Sequence, residues 1–216
     1  MKRKPLAVTV ALAAALVVQP ARGMALRVTM AEGPLGNALQ HPGASLSDAV
    51  PDFGLVNQDG QAIKLGQYRG RTLILTFIYT RCAQPGFCPL TMRNFQKLEE
   101  ALSADPLLLA RTHLLSISFD PAFDTPEVLR GFGQGFVPDR GQGRFSHWEL
   151  ATGSAEQLKA ISEFFFFGLV DWGEEGQISH TLCTAIIGPD GKVARVYRDN
   201  QWTVGDAVRE VRRVTR

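Results

Sequence analysis

Cysteine is scarce in this 216-residue chain: there are three, with four histidines beside them. Three cysteines cannot build the multi-bridge scaffold that holds small secreted domains together. The fold must therefore rest on an apolar core, which a chain of this length with 45% apolar residues can bury. A run long enough for a standard membrane-spanning helix, about 20 apolar residues, is also missing. The most apolar stretch, residues 5–18, holds 14 uncharged residues, mostly Ala, Val and Leu. Internal repeats are absent, which excludes solenoids. A basic surplus is absent as well. The formal net charge is +2, but Lys2, Arg3, Lys4 and Arg22 lie in the first 25 residues with no acid among them. The rest of the chain keeps 19 basic against 21 acidic residues, a net of −2. No basic stripe remains to suggest a nucleic-acid partner.

What the N-terminus does hold is the order of a secretory signal peptide. Met1, Lys2, Arg3 and Lys4 form a basic start, residues 5–18 an apolar middle, and Ala21-Arg22-Gly23 or Gly23-Met24-Ala25 a small-residue cleavage site. Export is expected, to a periplasmic location, with an uncleaved anchor on the outer face of the inner membrane as the alternative. Lipoprotein processing is not supported, since no cysteine lies near that site. Three parts are expected: residues 1–25 as signal, 26–50 as a flexible lead-in rich in Gly and Pro, and 51–216 as one folded domain. A monomer is expected.

The folded part alternates strands and helices. Residues 53–65 read as a hairpin turning at Asp59-Gly60. Residues 73–79 form an apolar, β-rich run, as in a central strand buried on both faces, and the β-rich run 113–119 reads as a second central strand. Phe95, Leu98 and Leu102 share a helical stripe between them. Thr125 and Pro126 are placed to cap and begin a second helix. A short strand at 146–150 precedes a helix capped by Ser154 and running to about Phe165. A hairpin at 183–197 turns at Pro189-Asp190-Gly191, and residues 204–214 close the chain as a helix. This order predicts an α/β fold with a mixed central sheet flanked by helices. It is the thioredoxin-like plan with an added N-terminal β-hairpin.

Thr80-Arg81-Cys82 directly follows the first central strand, and Cys88-Pro89 stands at the start of the next helix. A thiol at a helix N-terminus meets unpaired N–H groups and the positive end of the dipole, which favour the thiolate that attacks disulfides and binds soft metals. Pro89 is tolerated there because its missing N–H would have no partner anyway. Five residues separate the cysteines, and Pro85-Gly86 can turn the loop back, so a disulfide is sterically open to them. An oxidising compartment tends to join such a pair unless a reductant or a metal holds it apart. A plain stabilising disulfide is the alternative to a working pair. His180 lies far along the chain, just before a strand. Two thiolates and an imidazole suit copper, sulfur favouring Cu(I) and the added nitrogen admitting Cu(II). An ordinary surface histidine is the competing reading.

Four segments carry a resemblance. Tyr79-Thr80-Arg81-Cys82 with Cys88-Pro89 resembles the Tyr-Thr-x-Cys…Cys-Pro signature of the Sco family. The segment from Phe119-Asp120-Pro121 through Asp124-Thr125-Pro126 is similar to its Asp-Pro-x-x-Asp-Thr-Pro stretch. Trp148 with Thr152-Gly153, and Ser179-His180 ahead of Gly188-Pro189-Asp190-Gly191, match two more. The likeness spans about residues 50–214. It implies copper held by Cys82, Cys88 and His180. It also implies delivery of copper to the dinuclear copper site of cytochrome c oxidase subunit II, or an exchange with another copper chaperone. The chain departs from the family in one respect, with five residues between its cysteines where three are usual.

The same pair supports two kinds of activity. One is a carrier, not an enzyme, that binds copper for oxidase assembly. The other is a thiol–disulfide oxidoreductase that reduces the cysteines of that oxidase site or acts in redox signalling, and needs no His180. Asp120 is either a carboxylate standing behind the metal ligands or a turn cap before Pro121. Cys183 is read as a small buried apolar residue, three positions past His180 and facing the other way. His113 is read as structural, and His147 has no assigned role. Residues 164–167, four phenylalanines, are read as core, or in part as a docking patch.

Overall fold

A computed structural model describes residues 44–139, 141, 143–165, 171–172, 178–179, 181–200 and 202–216. The expected signal, residues 1–25, and most of the expected lead-in lie outside them, as does His180. The lead-in's last residues are tied down. Ser47 N–H and Val50 N–H donate to the Val193 and Gly191 carbonyls at 2.8 and 3.0 Å, and Ala44 and Val50 join the core.

A seven-stranded mixed sheet is ordered β2-β1-β5-β4-β3-β8-β9. β1 (Gly54–Asn57) and β2 (Ala62–Lys64) form the added hairpin. The Asn57 side-chain oxygen accepts the N–H groups of Asp59 and Gln61 at 3.0 and 2.9 Å, an Asx turn. Gly60 supplies the positive φ of 75° that the turn needs. β3 (Thr72–Ile78) and β4 (Thr112–Ser118) are buried at all seven positions, their Thr, Ser and His residues included, as central strands covered on both faces are. They pair in parallel, with Ile78 beside Ser118, and β5 (Trp148–Thr152) continues the parallel set. β8 (Thr184–Ile187) returns antiparallel to β3, with Thr184 opposite Thr76, and β9 (Val193–Tyr197) closes that edge. A separate two-residue pair, β6 (Asp171–Trp172) with β7 (Ile178–Ser179), was not expected from the sequence.

Helix α1 (Cys88–Ser103) lies on one face, where Phe95 meets Trp148 at 5.8 Å. A short α2 (Pro106–Ala110), which sequence patterning missed, is capped by Asp105. Helix α3 (Pro126–Gly133) starts as expected, with Thr125 Oγ1 accepting the Val128 N–H at 3.3 Å. Gly133 lets it approach β5, since a Cβ there would stand 2.9 Å from Leu150. Helix α4 (Ala155–Phe165) covers the opposite face, where Phe165 packs on Phe77 at 6.0 Å. Phe165 is fully buried and Phe164 half-buried, while Phe166 and Phe167 lie outside the described residues. Helix α5 (Val204–Val214), begun by a Thr203–Asp206 capping box, packs along α1. Sheet and helices match the predicted α/β plan, hairpin included.

Candidate metal centre

Parallel pairing of β3 and β4 brings the loops that follow them to one edge of the sheet. Thr80-Arg81-Cys82 leaves β3, and residues 119–125 leave β4. The two loops are locked by carboxylates. Asp124, fully buried, accepts the Thr80 N–H at 3.0 Å, the Thr80 hydroxyl, and the Ser118 hydroxyl at 2.5 Å. Asp120, also fully buried, accepts Arg81 Nε and Nη2 on one oxygen, at 3.1 and 2.6 Å. The Arg81 guanidinium then lies over the Phe123 ring, 4.4 Å from its centroid. Asp120 therefore does more than cap a turn: it fixes the residue directly before Cys82. Its other oxygen is buried with no hydrogen-bond partner among the described residues.

Cys82 and Cys88 are free thiols in this structure, and they touch. Both are buried, Cys88 almost wholly and Cys82 with 8% of its surface exposed. The Cys82 thiol is pulled down to about 5. The Cys88 thiol is the chief cause, donating to the Cys82 sulfur; burial opposes it, and the Cys88 N–H, the Gln84 N–H and the Tyr79 side chain add to it. Cys88 is pushed up, first by giving its proton to that bond and then by burial. Helix-start reasoning pointed to Cys88 as the thiolate; contact between the two sulfurs instead lowers Cys82 and raises Cys88. The physical reason is burial: Cys88 is the more deeply buried of the two and keeps the shared proton, although backbone N–H groups, its own among them, act to lower it.

The five-residue loop between them is braced from outside. Arg93 Nη2 donates to the Pro85 carbonyl at 3.3 Å. Asn200 Nδ2 donates to the Gly86 and Phe87 carbonyls at 3.1 and 3.4 Å, while Thr91 Oγ1 donates to Asn200 Oδ1 at 3.0 Å. No motif or spacing signalled Asn200, because its partners lie more than a hundred residues away.

β8 enters the sheet at the end where β3 leaves it, so residues 181–183 arrive at this edge. His180 lies outside the described residues, and among those described no group of three or more His, Cys, Asp or Glu could hold a metal. Cys183 is buried, its thiol pushed up to about 12 by that burial, with Sγ 3.9 Å from the Phe165 carbonyl. It faces α4, as a small core residue, away from α1 and Cys88.

A second polar cluster lies at the opposite end of the sheet. Glu149 accepts Tyr68 Oη at 2.6 Å and Asn57 Nδ2 at 2.8 Å, and stands 2.8 Å from His113 Nε2. His113 stacks on Tyr68, with centroids 4.5 Å apart. Burial, the largest influence on Glu149, works to raise it, but hydrogen bonds from His113, Tyr68 and Asn57 outweigh it and take it to about 2. Burial holds His113 below its usual value. The structural reading of His113 is thus correct, and His147 contributes no ligand among the described residues.

Comparison with known proteins agrees with this frame. The SCO1/SenC family model matches residues 42–216. A Stutzerimonas stutzeri protein named "Putative copper-binding protein" is 32% identical over 152 residues, 67% of either chain. A SCO1/SenC family lipoprotein from Bacillus anthracis has a solved structure that superposes with a TM-score of 0.68 at 30% identity, over 78% of this chain and 95% of that one. BsSco, described as a member of the Sco family of cytochrome c oxidase assembly proteins with a disulfide switch, superposes with a TM-score of 0.65 at 27% identity, over 80% and 96%. With the matched model covering residues 42–216, the whole folded part, the chain belongs to the SCO1/SenC family.

Proposed function

We propose that this protein is an exported copper carrier of cytochrome c oxidase assembly, which delivers copper to the dinuclear site of subunit II. One observation carries the reading: two free thiols in contact at the C-terminal end of β3, with the Cys82 sulfur receiving a thiol and backbone N–H groups. Such a pair fits copper. Metal binding needs thiolates, the Cys88 contact favours the thiolate of Cys82, and soft sulfur selects Cu(I). His180 is the proposed third ligand, supported by the entry of β8 at this edge. Asp120 stands behind the ligands, holding Arg81 with one oxygen and leaving the other open. The copper-binding name of the Stutzerimonas relative and the assembly role of BsSco favour the same assignment. The proposed location is periplasmic, or anchored to the outer face of the inner membrane by residues 1–25. No helix among the described residues is long and apolar enough to cross a membrane.

The low-lying Cys82 thiol also favours a second activity at the same pair. Cys82 as thiolate attacks a partner disulfide, a mixed disulfide forms, and Cys88, on losing its proton, displaces the partner. The partner leaves with two thiols, and Cys82–Cys88 carries the two-electron oxidation. Copper titration of the reduced protein separates the readings. A carrier binds one copper per chain, loses it in a Cys82→Ser/Cys88→Ser double variant and weakens in His180→Ala. Binding no stronger than in the double variant refutes it. Undiminished turnover of an oxidised dicysteine peptide by His180→Ala favours the reductase.

A further inference from the structure

The loop between the cysteines does not hold its own shape. Its internal turn is closed by Phe87 N–H to the Gln84 carbonyl at 3.0 Å. Gly86 adds backbone freedom, with open space where a Cβ would be. Arg93 of α1 holds the Pro85 carbonyl, and the brace on the last two loop carbonyls comes from a residue 114 positions away from Gly86. An amide can donate and accept at once, and Asn200 does both. Its nitrogen takes the last two loop carbonyls, Gly86 and Phe87, and its oxygen takes the hydroxyl of buried Thr91 in the first turn of α1. The loop is thereby stapled to the helix on both sides of Cys88. Asn200 itself stands on a fixed base. Tyr197 stacks on Trp202 at 5.8 Å, and buried Trp202 meets Phe95 of α1 edge-on at 6.3 Å.

We propose that Asn200 is a positioning residue for the thiol pair: its side-chain amide holds the Cys82–Cys88 loop in the shape that keeps the two sulfurs together, and so sets how readily they act as one unit. The inference rests on these two cysteines being the working pair, as proposed above, but its direct consequence concerns the dithiol and requires no metal. Two groups tied to a rigid frame meet at a high effective concentration, which falls when the tether gains conformations. Releasing the loop therefore weakens any event that needs both sulfurs at once, whether disulfide closure or shared grip on a soft ion.

The test is the reduction potential of the pair in graded glutathione buffers, with the state of Cys82 and Cys88 counted by mass spectrometry. One oxidised glutathione converts the dithiol to the Cys82–Cys88 disulfide and leaves as two reduced glutathiones. In Asn200→Ala the disulfide-forming constant should fall about tenfold, a potential about 30 mV less negative. Asn200→Asp keeps an acceptor for Thr91, loses the donor to the two carbonyls and preserves the shape. It should shift the potential equally, and it decides the matter if the alanine variant fails to fold. Thr91→Val should shift it in the same direction by less. A potential equal to wild type in Asn200→Asp overturns the inference, as does a lowered unfolding temperature with an unmoved potential. If the wild type binds no copper while the Asn200 variants still shift the potential, the copper reading fails and the positioning role stands.

Discussion

Replacing Cys88 with alanine removes the donor that most strongly holds Cys82 as a thiolate. A hydrogen bond to a charged group is worth about 1.5–3 kcal/mol, and one pK unit corresponds to about 1.36 kcal/mol. The Cys82 midpoint should therefore climb from about 5 by about one to two units. It should stop short of its unperturbed 9.0, since other groups, the Cys88 and Gln84 N–H among them, still point at the sulfur. The rate of alkylation by iodoacetamide against pH reads this directly, with thiolate ultraviolet absorbance as a check. Cys183, buried and pushed up to about 12, stays silent in that range. The sign of the stability effect follows. Cys82 is held below its unfolded value, so its contribution is full above pH 9, shrinks as pH falls towards 5 and is gone below it. In Cys88→Ala the lower bound of that window should rise with the midpoint. An unmoved Cys82 midpoint would falsify the assignment. So would a wild type in which the low midpoint is traced to alkylation of Cys88 and not of Cys82, for the thiolate would then belong to Cys88.

Two further substitutions test the frame around the site. Asp124→Ala strips the acceptor from the Thr80 N–H, the Thr80 hydroxyl and the Ser118 hydroxyl; with about 1–3 kcal/mol for each buried orphan, urea unfolding should show a loss of at least about 3 kcal/mol, and a loss under about 1 kcal/mol counts against the clamp. Glu149→Gln should cost about 2 kcal/mol by weakening bonds to buried Tyr68, His113 and Asn57 while leaving copper stoichiometry unchanged at the far end of the sheet. The wild type's Glu149 contribution is full above pH 4.5 and lost as pH falls towards 2, and His113, held below 6.5, adds a loss that begins below that value. The Glu149→Gln variant should show a flatter decline between pH 4.5 and 2, and an acid limb identical to the wild type's would refute the role given to the carboxylate.

Much of the fold was legible because its signals are local. The apolar run from Leu73 to Ile78, interrupted only by Thr76, marks β3 whatever surrounds it, and Thr125-Pro126 announces a helix start within one turn. The 171–179 pair and the short α2 escaped for the opposite reason: two-residue strands and a five-residue helix have too little period to read. At the site, residue type and order singled out Cys82, Cys88 and Asp120. They could not say which sulfur carries the charge, because that depends on which of the two folding buries more deeply. Asn200 escaped completely, and Asp124 was legible only as part of a motif, since their roles exist only through partners that folding brings from distant segments.

The two buried aspartates explain why the carrier and reductase readings share one scaffold. Asp120 and Asp124 sit on the loop after β4, their partners Thr80 and Arg81 on the loop after β3, and parallel neighbours put both at one edge. Stripping a buried carboxylate's partners costs about 1–3 kcal/mol for each group left unsatisfied, so these loops are set before any ligand or partner arrives. That fixes Cys82 from the strand side, while α1 and Asn200 fix Cys88 and its loop from the helix side. A carrier and a dithiol reductase both need this arrangement, and neither is favoured by it alone. The group proposed to tell the two readings apart is His180, which lies outside this clamp in the sequence just before β8.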